Sequence, residues 1–288
     1  MTTLGSKREN ADDNLQSVQA ANQQWWTKHT MSYDWNEKIG IEKYTDEWFD
    51  EADRRFIHGA RLFAHGEQPF DRIIPFHKMS GKRVLEIGCG MGLHSELMVR
   101  AGAELTAIDI SETSVMATRR RFALRGLTGT IQVMDAVKLD FPDEHFDFVW
   151  SWGVIHHSAQ TALIIKQIAR VLRKGGQVRL MVYNLNGMAA YVTLVLTYLI
   201  GFWRGKTLDE CLWSKTDGFM ARYYTSDMLG DLMNAFFTNV TAQTFGQDAD
   251  AVPLPRRLRY LVMTIMSNQR LAELANRRGA FLFMTADK

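Results

Sequence analysis

A chain of 288 residues has room for one large domain, or one domain with a substantial elaboration. Its 46% hydrophobic and 23% charged content, with 21 Gly and 5 Pro, excludes wholesale disorder and collagen-like or low-complexity sequence. A net charge of +2 gives no electrostatic case for a nucleic-acid partner, and two isolated cysteines, Cys89 and Cys211, exclude a disulfide framework and a Cys/His zinc site and suit a reducing cytoplasm.

In chain order, residues 1–22 are polar and lack aromatics, which predicts a mobile tail without a signal peptide. From Gln23 the character changes. Trp25, Trp26, His29, Met31, Tyr33 and Trp35 fall in one short segment, and Trp48, Ala52, Phe56, Ala60 and Phe63 recur at helical spacing. Residues 23–80 therefore read as an N-terminal helical and aromatic cap. Strand and helix then alternate: strands at 83–87, 104–109, 130–134, 146–150 and 177–183, with helices at 93–100, 111–125 and 161–172 between them. Apolar strands alternating with helices predict a parallel sheet covered on both faces. The pattern is interrupted twice, at about 184–224 and 246–279. Between the interruptions lie a helix capped by Thr225 and a strand at 239–245, and a final strand occupies 280–285. The second interruption holds helical stretches at 257–266 and 269–278.

The run from Met188 to Trp203 is almost uninterruptedly apolar but shorter than the ~20 residues a spanning helix needs. It reads as a buried or cap helix packed on the sheet, with lying flat on a membrane surface as the alternative. Arg119, Arg120, Arg121 and Arg125 form a basic run on one helix and read as a solvated face.

The chemistry concentrates at strand ends. Glu86-Ile87-Gly88-Cys89-Gly90-Met91-Gly92 is a strand end, an acid, glycines at alternate positions and a helix start. Glycine makes the tight turn and lets a ligand approach the backbone, and the helix start offers free N–H groups. The spacing G-x-G-x-G departs from the G-x-G-x-x-G of dinucleotide binders. Asp109 ends the second strand, 21 residues after Gly88, where a carboxylate can accept from both ribose hydroxyls; capping the following helix is the alternative. Asp135 ends the third strand and can accept from an adenine amino group, with the Ala136 N–H meeting a ring nitrogen; a loop Asx-turn is the alternative.

With these residues, the segment Phe146 to His157 and the run Arg170-Val171-Leu172-Arg173-Lys174-Gly175-Gly176, the sequence resembles class I S-adenosylmethionine-dependent methyltransferases. The resemblance covers about Gly81 to Tyr183. In style it is similar to small-molecule enzymes of the ubiquinone/menaquinone type, which often carry Val-Leu-His-His where this chain has Val154-Ile155-His156-His157. It implies an α/β, Rossmann-like, seven-stranded, mostly parallel sheet with an antiparallel last strand, helices on both faces and helical cap insertions. Residues 81–288 would form that methyltransferase domain. S-adenosylmethionine would bind at Glu86, Gly88, Cys89, Gly90, Gly92, Asp109, Ile110, Asp135, Ala136 and Ser151, with Tyr33, beside Asp34, near its carboxylate; S-adenosylhomocysteine would leave.

No acid lies between Asp147 and Thr161, which argues against the acidic cluster that holds a metal in catechol-type relatives, and no Asn-Pro-Pro-type motif for nucleobases is present. His156 and His157 fall where the carboxyl edge of the sheet opens, and a neutral imidazole there can take a hydroxyl or thiol proton; His156 is the leading base, and packing beneath the next helix is the alternative. Trp26, Tyr183, Arg222, Tyr223 and Tyr224 are candidate substrate contacts. The expected activity is metal-independent methyl transfer to oxygen, sulfur, carbon or nitrogen of a small-molecule acceptor. Two other readings stand beside it: an enzyme for an isoprenoid or lipid acceptor at a membrane surface, and a cofactor-binding module without catalysis. Nothing in the sequence sets the oligomeric state.

Overall fold

The computed structural model describes residues 4–31, 33, 38–202, 205, 211 and 217–288. The regular part follows the predicted alternation closely. The first half comprises β1 (Arg83–Ile87), α3 (Leu93–Arg100), β2 (Glu104–Asp109), α4 (Glu112–Leu124), β3 (Thr130–Val133), β4 (Phe146–Trp152), α5 (Thr161–Val171) and β5 (Leu172–Asn184), preceded by α1 (Leu4–Lys28) and α2 (Asp46–Gly59). Beyond it come α6 (Met188–Phe202), β6 (Tyr223–Tyr224), α7 (Ser226–Asn234), β7 (Thr238–Phe245), α8 (Asp248–Ala251), α9 (Arg256–Thr264), α10 (Asn268–Arg277) and β8 (Phe281–Asp287). Local chemistry sets several boundaries. Thr45, Ser111, Thr225 and Ser267 each accept a backbone N–H with the side-chain hydroxyl at the start of α2, α4, α7 and α10.

The sheet runs β3-β2-β1-β4-β5-β8-β7. β1 to β5 are parallel, and β8 is antiparallel to both β5 and β7. An eighth strand, the two-residue β6, pairs with the end of β5 and adds to the seven expected. The central strands β1, β4, β8 and the second half of β5 are buried on both sides, as their apolar runs require, while the edge strands β3 and β7 are largely exposed. On one face Leu85, Val149, Val178, Leu180 and Val182 pack with Ile164, Ile165 and Ile168 of α5 and Leu229 and Met233 of α7. On the other, Val84, Leu105, Phe148 and Trp150 pack with Met98 of α3, Val115 and Phe122 of α4, and the segment from Ala60 to Met79. The strand order reverses between β1 and β4, and open α/β sheets hold ligands in the crevice at such a point.

Three expectations need correction. The tail expected over residues 1–22 is helical from Leu4, with no proline to stop it. Its second half is docked by polar contacts that apolar periodicity does not reveal: Gln23 Nε2 donates to the Ile110 carbonyl (3.1 Å) and Thr113 Oγ1 to the Thr27 carbonyl (2.9 Å). The apolar run becomes α6 as expected of a helix, but Tyr191, Val192, Val195 and Leu196 are exposed rather than packed on the sheet; Trp203 lies outside the described residues. The basic run on α4 is not a solvated face at Arg121, which is fully buried and ion-paired to Asp53 of α2 and Glu96 of α3. Among the described residues no helix is long and apolar enough to cross a membrane.

Candidate functional site

A cavity of about 760 Å³ opens at the reversal point, lined by the ends of β1, β2, β3 and β4 and by side chains of α1, α2 and α9. Its floor is the glycine turn. Gly88 and Cys89 both donate to the Ile108 carbonyl (2.7 and 3.1 Å), which folds the loop back over β2. Gly88 has φ +83°, and a Cβ there would collide with the Val154 side chain. Gly90, at φ +52°, has open space where a Cβ would stand, which is the room a ligand needs against bare backbone. Gly92 closes the turn ahead of α3 and packs on Thr118, without lining the cavity.

Asp109 accepts from the Gly90 N–H (3.0 Å) and the Ser111 N–H (2.9 Å), so it braces the loop and the entry to α4 at once. Burial raises its carboxyl pKa to about 6, against the pull of those backbone donors. Glu86 is buried, accepts from Ser95 Oγ, and is pushed by burial to about 8. Asp135 accepts from the Val137 N–H and from Gln19 Nε2 of α1, both at 3.0 Å. Gln19 Oε1 in turn accepts from Ser158 Oγ (3.4 Å), so one α1 side chain bridges the tips of β3 and β4. Ile110 and Ala136 line the same wall.

The lining also includes many aromatic side chains: Trp26, Tyr33, Phe56, Phe63, Trp152, Tyr183 and Phe281. Tyr33 stacks on Phe56 (centroids 4.5 Å apart), and burial holds its phenol well above the usual range; Asp34 lies outside the described residues. His157 stands among these rings, edge-on to Trp26 at 4.9 Å. Its Nδ1 donates to the Met220 carbonyl (2.8 Å), which leaves Nε2 as the acceptor of a neutral imidazole. Burial lowers its pKa to about 4, partly opposed by that hydrogen bond. Gly218, at φ +95°, lies so close that a Cβ would stand 2.6 Å from His157 Nδ1.

His156, the expected base, is corrected here. It is fully buried behind His157 and Tyr183, with ring centroids 4.1 Å from each, and it does not line the cavity. The 3-10 turn Ile155–His157 sends only the second histidine forward. Ser151 is buried inside the sheet between Ile87 and Leu180 and also stays off the cavity wall. Of the expected substrate contacts, Trp26 and Tyr183 line the cavity, while Arg222, Tyr223 and Tyr224 do not. Arg222 donates its backbone N–H to the His156 carbonyl (2.8 Å), Tyr223 packs on Tyr183 (centroids 5.4 Å apart), and Tyr224 belongs to the core.

Sequence reading missed Gln19, Asn22, Asp53, His94, Asp217, Arg256 and Arg259, all in the cavity wall. His94 accepts from Trp150 Nε1 (3.1 Å) and is held neutral, its pKa lowered to about 3 by burial and the nearby Arg121. Only the position of His94, two residues past the last glycine of the turn, could have signalled its place. Among the described residues, no group of three or more His, Cys, Asp or Glu side chains could hold a metal ion.

The fold and site define an open α/β protein with a cavity at its topological switch point. Residues 85–180 match the family model described as "Methyltransferase domain". The chain is 30% identical over 164 residues to the 2-methyl-6-phytyl-1,4-hydroquinone methyltransferase of Synechocystis sp., a match covering 56% of this chain and 49% of that one. It is 32% identical over 175 residues to the ubiquinone biosynthesis O-methyltransferase of Xylella fastidiosa, covering 58% and 66%. The chain thus spans about half the length of the first relative and 66% of the second. In fold it is similar to a chain of the complex between the Haloferax volcanii Trm112 methyltransferase activator and a methyltransferase, with TM-score 0.52 at 16% identity over 87% of this chain and 99% of that one. Over residues 85–180 the chain is thus similar to methyltransferase domains, and both named relatives are methyltransferases.

Proposed function

We propose that the protein transfers a methyl group from S-adenosylmethionine to a hydroxyl of a small, largely apolar aromatic acceptor of the quinol type. The observation that carries this is the mixed character of one cavity. Carboxylates at the tips of β2 and β3, an open glycine turn, several aromatic side chains and a neutral histidine flanked by Trp26 and Tyr183 all line it. The cradle suits the cofactor: Asp109 offers an acceptor pair to ribose hydroxyls, Asp135 and Ala136 flank the place of the base, and Gly90 leaves room for the methionine part. When bound, S-adenosylmethionine supplies an electrophilic methyl group. The chain's own residues then hold the acceptor in line and exclude water. His157 Nε2 takes the hydroxyl proton, while Nδ1–H, fixed on Met220, holds the ring's orientation. That step asks for no metal. The names of the relatives support a quinol-type acceptor, a phytyl hydroquinone in the first, and the second, an O-methyltransferase of ubiquinone biosynthesis, supports oxygen as the acceptor atom. The cytoplasmic setting expected from the cysteines is part of the same reading.

The test is calorimetric titration with S-adenosylhomocysteine, followed by a screen of phenols, hydroquinones and thiols with labelled S-adenosylmethionine. One-site binding in the wild type, lost by about 100-fold or more in Asp109→Ala, is expected, since two ligand hydroxyls lose a charged acceptor. His157→Gln should bind S-adenosylhomocysteine as the wild type does and lose ~10²–10⁴ in kcat. A folded wild type that binds no S-adenosylhomocysteine would sink the proposal.

A further inference from the structure

The second interruption of the sheet builds a small satellite core. Leu62, Ala251, Val252, Leu271 and Ala275 are buried there, and Val262, Met263 and Met266 pack against them. This accounts for one face of α9. The other face is apolar as well, and it is bare. Leu254 stands just before the helix, and Leu258, Leu261 and Ile265 follow at spacings of three and four residues, so those three form a single stripe along it. The exposures of the four are 40%, 53%, 64% and 85%, and the neighbouring Tyr260 is 70% exposed. A solvated helix of an ordinary globular domain puts charge at such positions.

Charge is present, but only of one sign. From Val252 to Met266 there is no Asp or Glu, while Arg256, Arg257 and Arg259 are all in that stretch. Arg256 and Arg257 are exposed at the start of the helix. Arg259 is tied down through the Val252 and Leu254 carbonyls (both 3.0 Å) and, with Arg256, lines the cavity. An exposed apolar stripe with a basic residue at its flank is the make-up of a helix that lies in the plane of a membrane interface. α6, whose Tyr191, Val195 and Leu196 are also exposed, packs beside α8, the element that leads into α9.

We propose that the outer face of α9 docks the protein on a bilayer surface that contains anionic lipid. The apolar stripe enters the headgroup boundary, and Arg257 at its flank meets lipid phosphates. Because Arg256 and Arg259 belong to both the helix and the cavity wall, docking sets the cavity beside the bilayer. A lipid-dissolved acceptor then reaches His157 without passing through bulk water. That last consequence rests on the proposed methyl transfer; the docking itself rests on exposure and charge alone.

The test is flotation of the full chain with phosphatidylcholine vesicles, with and without 30% phosphatidylglycerol (about a third anionic, to give a charged surface). Wild type is expected to float with the anionic vesicles and to release as salt rises. The triple variant Leu258→Ser/Leu261→Ser/Ile265→Ser should stay at the bottom, with its far-ultraviolet dichroism and its S-adenosylhomocysteine titration matching the wild type. If that variant fails to fold, the single variant Arg257→Glu, at an exposed position off the cavity wall, carries the test. It should weaken partition by at least ~5-fold, the loss expected for one basic residue at a charged surface. No flotation of the wild type, or equal flotation of a folded variant, overturns the proposal. So does a wild-type dimer in sedimentation equilibrium that the triple variant abolishes without any vesicle binding, because the stripe would then be covered by a second copy. Flotation needs no turnover, so it separates this proposal from the methyl-transfer reading.

Discussion

Asp109 shows how one side chain can couple ligand binding and folding to pH with opposite signs. Its carboxyl is raised to about 6 because burial outweighs the two backbone donors. A group raised above its unfolded value stabilises the fold below the unfolded pKa and loses that contribution as pH rises through the folded pKa. Ligand hydroxyls need the ionised form as acceptor, so binding has the opposite dependence. Affinity for S-adenosylhomocysteine should be level above about pH 7 and fall about tenfold per unit below 6. Calorimetry from pH 5 to 8 checks this, and a level affinity down to pH 5 would remove Asp109 from the ligand contact. The position of Asp109 was legible because a strand, a glycine turn and a fixed interval locate it. His157 was legible only as one of a pair. Which histidine faces the cavity depends on the turn at 155–157 and on the Met220 carbonyl, contributed 63 residues later, and no local pattern encodes that contact.

At the scale of elements, α2, α3 and α4 are joined by a buried charge cluster. Arg121 Nε donates to Glu96 (2.6 Å), its other nitrogens meet Asp53, and Nη1 reaches the Met91 carbonyl of the glycine turn (3.2 Å). Arg125 adds contacts to Glu96 (2.8 Å) and to Asp46 and Asp50 of α2. Burial raises the Asp53 carboxyl, with Arg121 opposing it, which marks how far that carboxylate depends on its partner. Arg121→Met should therefore destabilise the protein by about 3 kcal/mol, as expected when one member of a buried ion cluster is removed and the others stay. Urea unfolding measures it, and a loss below about 1 kcal/mol would mean that Arg125 alone satisfies the acids. Sequence reading gave α4 its bounds but took this basic run for a solvated face. Helical periodicity registers apolar stripes, and a buried arginine matched to acids on two other helices leaves no such trace. The same blindness explains α1: Gln19 and Gln23 dock it through hydrogen bonds, so a polar sequence read as a tail.

At the scale of the molecule, parallel strands put every functional tip on one edge, and the two sheet interruptions supply the walls that close it. Strands β1 to β4, β7 and β8 were legible to within two residues, but β5 begins at Leu172, five residues before the expected start, and the two-residue β6 was not foreseen. The walls were not legible, since each is a long-range contact between segments of mixed composition. The parts of the cavity should therefore be separable by mutation. Ligand bound only to the folded state stabilises it by about 2.7 kcal/mol at a hundred times Kd, or roughly 4–5 °C in Tm for a chain of this size. Wild type with S-adenosylhomocysteine should show that rise, and Asp109→Ala should not. Gly218→Ala tests the other part: its φ of +95° and its closeness to His157 Nδ1 mean that a Cβ must displace the imidazole. That variant should keep the full thermal shift while methyl transfer to the screened acceptor falls by ~10² or more. If Gly218→Ala instead lost the shift and the turnover together, His157 would belong to the cofactor cradle, and proton removal from the acceptor would have to be assigned to another wall residue, with Asp217 and Tyr183 the nearest candidates.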